Sequence, residues 1–253
     1  MIGRKIITLD TVDSTNNYAA NLLKEGKLDH GTVIVSAIQT AGKGQRGAIW
    51  QAEPFKNLIF TCFVEYANLS VEKQEAIIHF VSLAVYDFLA ENGIQAAIKW
   101  PNDMLVGSAK ITGILIENQL SSSGVKSSII GIGMNVNQDD FDGMNATSMK
   151  MCTDNAFDVP SLAVQLATKL EKYYQLLNQF SFSRLKQLYL DQLWLKDQLS
   201  DFEDSEGVFQ GIIRGTDDFG RLIVEKDQSR IIYDLKEIKF IARNISGACE
   251  TCN

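Results

Sequence analysis

The sequence predicts an α+β protein, a mixed β-sheet with flanking helices followed by a small C-terminal β-barrel, and three observations carry that prediction. Short β-branched segments alternate with stripes of helical period in the first part of the chain. Four strands in a row then fit between residues 98 and 136, and beyond Ser200 only short strands and turns remain. The 253 residues suffice for one large domain and a small one, at ~150 residues per domain. Boundaries are expected at 1–200 for the large domain, 201–245 for the barrel and 246–253 for a tail.

In order, residues 6–9 read as a strand, and Asp13-Ser14-Thr15 offers N-cap oxygens to a helix over 16–24 that Gly26 closes. The β-branched, apolar run 32–37 is a buried strand. A glycine-rich loop follows, and 58–64 returns as a strand. Ser70 is expected to open the longest helix, whose stripe is Ile77, Phe80, Val81, Ala84, Val85, Phe88 and Leu89 and whose end is Gly93. Strands at 98–100, 104–106, 111–116 and 128–136 come next, with Gly107-Ser108 as a tight turn and 121–124 as a looser one. Pro160 suits the first turn of a helix carrying Leu162, Leu166, Leu170, Tyr173 and Leu177 on one face, and a shorter helix covers about 182–193. Residues 201–206 read as a charged linker. The strands 208–214, 221–225, 230–233 and 238–241 then build a barrel of about 45 residues.

Composition removes several function classes. A net charge of −7 argues against a broad phosphate-tracking surface, so no nucleic acid is expected as a partner and any anion site must be local. No apolar stretch is long enough to span a bilayer and the N-terminus runs straight into polar residues, so neither a membrane partner nor a secretory signal is expected. A cytoplasmic address follows, which the four cysteines at 62, 152, 249 and 252 fit. Cys249 and Cys252 form a lone C-x-x-C without a second ligand pair, read as incidental. The two histidines, His30 and His79, belong to no Ser-His-Asp or metal cluster. The chemistry must lean on lysine, arginine, asparagine and backbone donors.

Lys99-Trp100-Pro101-Asn102-Asp103 sets a lysine, an amide and a carboxylate around a stiff corner, with Lys110-Ile111-Thr112-Gly113 close behind. Proline restricts its own φ and the residue before it, so the corner aims Asn102 and Asp103 in a defined direction. An ordinary strand-ending turn fits equally well. Gly42-Lys43-Gly44-Gln45-Arg46-Gly47 matches the dinucleotide-binding G-x-G-x-x-G, with Glu65 further on where a ribose-binding acid would sit. That motif must open a helix, and here a strand follows, so the dinucleotide reading is set aside. Between strands the loop is either an anion nest, with Lys43 and Arg46 supplying charge, or a flexible hairpin; the absence of nearby acids favours the nest. Gly131, Gly133 and Asn135 alternate and share one face of a strand. Such a floor suits a planar ligand or close helix packing alike. By strand parity Lys110 would point away from Gly113, so an irregularity is expected where that strand begins.

Taken together in order, these motifs resemble the biotin protein ligases. The resemblance runs from Asp13-Ser14-Thr15-Asn16 through Gln39-Thr40-Ala41 with the glycine loop and Trp50, to 99–103, 110–117 and 131–137. It implies a catalytic domain like that of class II aminoacyl-tRNA synthetases and an Src-homology-3-like barrel. It also implies two reactions: biotin and MgATP give biotinoyl-5′-adenylate and pyrophosphate, and a lysine of a biotin carboxyl carrier domain then takes the biotinoyl group. Biotin contacts are implied for Ser14, Thr15, Asn16, Gln39, Gly42, Lys43, Gly113, Gly131 and Gly133. Nucleotide contacts are implied for Lys43, Gln45, Arg46, Trp50, Lys99, Asn102, Asp103, Lys110 and Asn135. Lys110, Arg46 and Asp103 would be catalytic, with Lys110 bridging carboxylate and α-phosphate and Asp103 serving Mg²⁺ or the acceptor amine.

Three features qualify the resemblance. The family's loop is richer in arginine, where this chain has Lys43, Gln45 and Ala48; fewer guanidinium forks are expected to hold the adenylate less tightly. The chain starts at the first catalytic strand, so a winged-helix DNA-binding domain and a repressor role are not expected. Homodimerisation through an exposed sheet edge is a habit of the family. A lipoate ligase of related architecture, or a non-catalytic biotin or adenylate binder, is the alternative.

Overall fold

In a computed structural model, residues 1–122, 124–179 and 182–241 are described, apart from the side chains of Arg46, Asn68 and Asn178. Two compact units are present, one over Met1–Trp194 and one beginning at Leu195.

The first unit is built on a seven-stranded sheet. Its strands are β1 (Lys5–Val12), β2 (Thr32–Gln39), β3 (Leu58–Leu69), β4 (Ala97–Lys99), β5 (Asp103–Val106), β6 (Ala109–Ser121) and β7 (Gly124–Met134), in the spatial order β1-β2-β3-β7-β6-β5-β4. β1 and β2 run parallel, joined by a crossover through α1 (Thr15–Lys24), and the remaining pairs are antiparallel. β3, β7 and β6 lie in the middle, and the apolar stretches 58–64 of β3 and 129–132 of β7 are buried on both faces. Ala19 of α1 packs with Ile34, Phe63 and Ile129, so the crossover helix closes one side of the core.

The apolar stripe expected around Phe80 is all buried in α2 (Glu75–Glu91), but Ala76, His79, Ser82 and Leu83 are buried too. A helix buried this broadly needs partners on more than one side, and α4 (Val159–Gln179) and α5 (Phe182–Asp191) supply them. A short helix, α3 (Met149–Thr153), precedes these two. Two expectations are corrected here. Ser70 leads only into a 3-10 turn at Val71–Lys73, and α2 starts at Glu75. The longest helix is α4, with 21 residues against 17, because its leucine stripe meets no glycine such as the one that stops α2 at Gly93.

The second unit is a five-stranded antiparallel sheet in the order β11-β10-β9-β8-β12. Its strands are β8 (Leu199–Asp204), β9 (Gly207–Thr216), β10 (Leu222–Lys226), β11 (Ser229–Tyr233) and β12 (Lys239–Ile241). The charged run at 201–206 is therefore not a linker: most of it belongs to β8, paired with β9 and β12. Asp201 and Glu203 alternate with the buried Ser200 and Phe202. A strand with one wet face reads as a charge cluster when its inward residues are few. Cys249 and Cys252, with the expected tail 246–253, lie outside the described residues.

Candidate functional site

The end of β1 and the start of α1 bring the first polar residues into place. Ser14 holds the extended N-cap geometry of α1 but makes no side-chain cap hydrogen bond, so the capping role expected of its hydroxyl is absent. Ser14, Thr15 and Asn16 are instead buried along a cavity of about 220 Å³. The Thr15 backbone N–H donates to Gln39 Oε1 at the end of β2, at 3.0 Å, and thereby fixes the Gln39 amide.

The glycine loop folds back on itself. The Gly44 N–H donates to the Ala48 carbonyl at 2.7 Å and the Trp50 N–H to the Gly42 carbonyl at 3.1 Å, with a single 3-10 turn, Gln45–Gly47, at the tip. Gly42 cannot be larger, since a Cβ there would lie 2.2 Å from the Trp50 carbonyl oxygen. Lys43 reaches across to α1, donating to Asn17 Oδ1 at 2.5 Å, while Asn17 Nδ2 donates to Asp13 Oδ2 at 2.6 Å. That amide, helped by the Ser14 N–H, holds the Asp13 carboxyl below the usual carboxylate range. The charge of Lys43 is thus held over the cavity from the α1 side. Arg46 lies at the loop tip, and its side chain is outside the description.

Gly131 and Gly133 do form a floor, and side chains of this chain already lie on it. A Cβ at Gly133 would sit 2.3 Å from the Trp50 ring, and one at Gly131 2.5 Å from Asn16 Oδ1. Gly113 pairs with Gly133 across β6 and β7 and faces both Trp50 and Lys110. The planar group expected on the glycines is, in part, the Trp50 indole. Its Nε1 is buried with no hydrogen-bond partner among the described residues, a donor that a ligand acceptor would satisfy.

The corner at 99–103 turns out to be both a turn and a wall of the site. Lys99 pairs with Asp103 across the β4–β5 hairpin, and the Trp100–Pro101 bond in its turn is cis. Asn102 is buried; its amide donates to the Ile114 carbonyl, and the Ile114 N–H donates back to the Asn102 carbonyl at 3.0 Å. Asn102 therefore clamps β6 while lining the cavity. The parity problem of Lys110 is answered by a bulge. Met104 pairs with Thr112 but Leu105 with Lys110, so Ile111 is the extra residue and Lys110 turns onto the side of Gly113. There Lys110 Nζ lies 2.8 Å from Asp103 Oδ1 and 5.6 Å from the centre of the Trp50 ring.

Thirteen sequence-predicted residues come together around this one cavity; Gly42, Lys99 and Asn135 do not line it, and the side chain of Arg46 lies outside the described residues. Lys99 is half-buried with its ammonium 5.9 Å from the Trp194 ring, and burial holds it below the usual lysine range. Asn135 donates to the Lys110 carbonyl at 3.3 Å and to the Thr147 carbonyl at 3.0 Å, so it orders the backbone behind Lys110 rather than facing a nucleotide. Ile59, Phe60, Ile114, Leu115 and Ile132 line the cavity without having been singled out, since apolar strand residues carry no mark separating wall from core. Thr61, wholly buried beneath Thr15 and Asn16, was also missed.

Chemically, the cavity has a polar end at Thr15 and Gln39, an apolar middle, and a cationic side with Lys43 and Lys110. Asp103 is the sole carboxylate lining it among the described residues, and no group of three metal-ligating side chains occurs among them.

Known proteins share this architecture. Residues 8–135 match the Biotin/lipoate A/B protein ligase family. The Bifunctional ligase/repressor BirA of Bacillus spizizenii is 31% identical over 90% of this chain and 71% of its own length. The Biotin--[acetyl-CoA-carboxylase] ligase of Paracoccus denitrificans is 28% identical over 92% of this chain and 99% of its own. Among solved structures, the biotin protein ligase from Aquifex aeolicus in complex with biotin and ATP has a TM-score of 0.77 at 23% identity, covering 95% of this chain and all of that one, and so shares the fold. The matched segment contains the loop, the corner, the bulged strand and the glycine floor, and the chain accordingly belongs to the Biotin/lipoate A/B protein ligase family.

Proposed function

We propose that this chain is a biotin protein ligase: it joins biotin to ATP as biotinoyl-5′-adenylate and passes the biotinoyl group to a lysine of a biotin carboxyl carrier domain. The observation that carries the reading is the bulge that turns Lys110 onto the glycine floor, beside Asp103, in a cavity that Lys43 also lines. In the first step a biotin carboxylate oxygen attacks the α-phosphorus and pyrophosphate leaves. Two anions must approach, and a fixed ammonium offsets their repulsion most where charge builds in the transition state. Lys110 would supply that ammonium; the contact of its Nζ with Asp103 and the bond from Asn135 to its backbone carbonyl support the reading. Mg²⁺ would travel with the phosphates, and Asp103 is the carboxylate available to it.

Thr15 and Gln39 at the polar end suit a cyclic urea, and the glycines with Trp50 suit the fused ring beside it. In the second step the carrier lysine's nitrogen attacks the acyl carbon, AMP leaves and the amine loses a proton. The names of the relatives support biotin as the substrate and an acetyl-CoA carboxylase as the source of the acceptor. Biotin-dependent exchange of pyrophosphate into ATP tests the proposal, with lipoate as the control. Exchange with biotin alone is the expected result. Exchange with lipoate alone, or with neither acid, would overturn it.

A further inference from the structure

We infer that Asp13 and Asn17 act through Lys43 as a clasp that keeps the glycine loop closed over a bound adenylate. The inference rests on the ligase reading above and deepens it by naming two positioning residues at the start of α1. Neither of them lines the cavity, whereas Lys43 does.

The loop is a short two-stranded ribbon with Lys43 in its middle. Lys43 and Ile49 form an antiparallel bridge, and the backbone bonds Gly44 to Ala48 and Trp50 to Gly42 lie on either side of it. A hold on Lys43 therefore holds both strands of the ribbon, including the one that carries Trp50. The base is tied to the end of β1 by backbone alone: the Thr40 N–H donates to the Val12 carbonyl at 2.9 Å and the Ala41 N–H to the Asp13 carbonyl at 2.8 Å. A tie at the base leaves the tip free to swing. Among the described side chains of residues 42–47, only that of Lys43 is hydrogen-bonded to a residue outside the loop, and its partner is Asn17.

Charge fixes the direction of both bonds in the clasp. An ammonium only donates and an ionised carboxylate only accepts. Asn17 stands between them, so its amide turns Oδ1 to Lys43 Nζ, at 2.5 Å, and Nδ2 to Asp13 Oδ2, at 2.6 Å. The reverse orientation would set N–H groups against the ammonium and oxygen against the carboxylate. Asp13, one helical turn before Asn17, thus orients the acceptor that Lys43 needs. The Asn17 amide, then the Ser14 N–H and more weakly the Lys43 charge hold the Asp13 carboxyl below the usual carboxylate range, which keeps it ionised. Lys43 has three N–H donors and gives one to Asn17, so two remain for an anion in the cavity.

The rate at which the full chain releases preformed biotinoyl-5′-adenylate tests the inference. Asn17→Ala is expected to speed release by about three- to fivefold, the size of one exposed contact to a charge. Its single-turnover rate of adenylate formation at saturating biotin and ATP is expected to match wild type, because Asn17 touches nothing in the cavity. Asp13→Ala keeps the backbone carbonyl that holds Ala41 and leaves the Asn17 amide unoriented, so release should quicken by about twofold. In a Lys43→Met background Asn17→Ala should add nothing further, since the partner it acts through is already gone. Unchanged or slower release from folded Asn17→Ala overturns the inference. Faster release that persists at full size in the Lys43→Met background overturns it too, as does a loss of adenylate formation in parallel with retention, the mark of a merely structural Asn17. If Asn17→Ala does not fold, Asp13→Ala decides by the same criteria. A wild type that binds no adenylate overturns the ligase reading itself, and this inference with it.

Discussion

Gly133→Ala probes the glycine floor where the structure is tightest. The added Cβ would lie 2.3 Å from Trp50 Cε2 and 2.7 Å from both Cδ2 and Cζ2. Carbon atoms prefer roughly 3.5–4.0 Å, so the indole must retreat by about 1 Å or more. The backbone of Gly133 is paired on both sides, with Ile59 of β3 and Gly113 of β6, and cannot absorb the shift. Overpacking of this kind costs about 1–3 kcal/mol. If biotin shares the floor with Trp50, the same crowding should weaken its binding by roughly tenfold to 100-fold. Urea unfolding reads the first effect and calorimetric titration with biotin the second. Trp50→Ala supplies the control: in that background the methyl group meets no ring, and the stability penalty of Gly133→Ala should largely vanish. A Gly133→Ala protein with wild-type stability and wild-type biotin affinity would refute the placement of the ring. A penalty that survives in the Trp50→Ala background would refute Trp50 as its cause.

Further outcomes follow from the site and the core. Lys110→Ala should slow adenylate formation by about 10²- to 10³-fold in a folded protein; near-normal pyrophosphate release would remove Lys110 from the mechanism. Asp103→Asn takes away the charge 2.8 Å from Lys110, and should slow adenylation by about tenfold while sparing transfer from preformed adenylate. Slowed transfer would instead mark Asp103 as the base for the acceptor amine. With Lys43, Gln45 and Ala48 in the loop, bystander proteins should be biotinylated more than by an arginine-rich relative, and equal labelling would contradict weak retention. His79 reports on the core: burial pushes its imidazole down from 6.5 to about 3. The unfolded chain therefore binds a proton that the folded one refuses, and stability present above pH 6.5 is lost as pH falls, by about 2 kcal/mol at pH 5. Urea midpoints at pH 7 and pH 5 should show that loss in wild type and not in His79→Phe; equal loss in both would place the titration elsewhere.

Much of this protein could be read along the chain because the signals are local. Proline after tryptophan, glycines alternating with isoleucines on one strand, and two cations among glycines each announce a backbone shape within a few residues. The same locality explains the errors. A strand with one wet face looked like a linker at 201–206, and the opening of α2 was placed at Ser70 because the helical stripe does not show where a 3-10 turn ends and the helix proper begins. The strand parity of 110–116 announced that something irregular was needed, but not its form.

The order of residues along the chain carries an inventory: the motifs, their succession, the ligase resemblance and the faces on which the glycines and the α2 stripe lie. Tertiary structure alone decided which side chains meet. It laid Trp50 over Gly133, turned Lys110 toward Asp103 by one extra residue in β6, and set Asn135 behind Lys110 instead of in the cavity. It also linked Glu117, Asn16, Thr61 and Thr15 by hydrogen bonds across three elements. Periodicity fixes the face a residue occupies, whereas a hydrogen bond between residues up to 101 positions apart exists only once sheet register and helix docking have placed both ends within 3 Å.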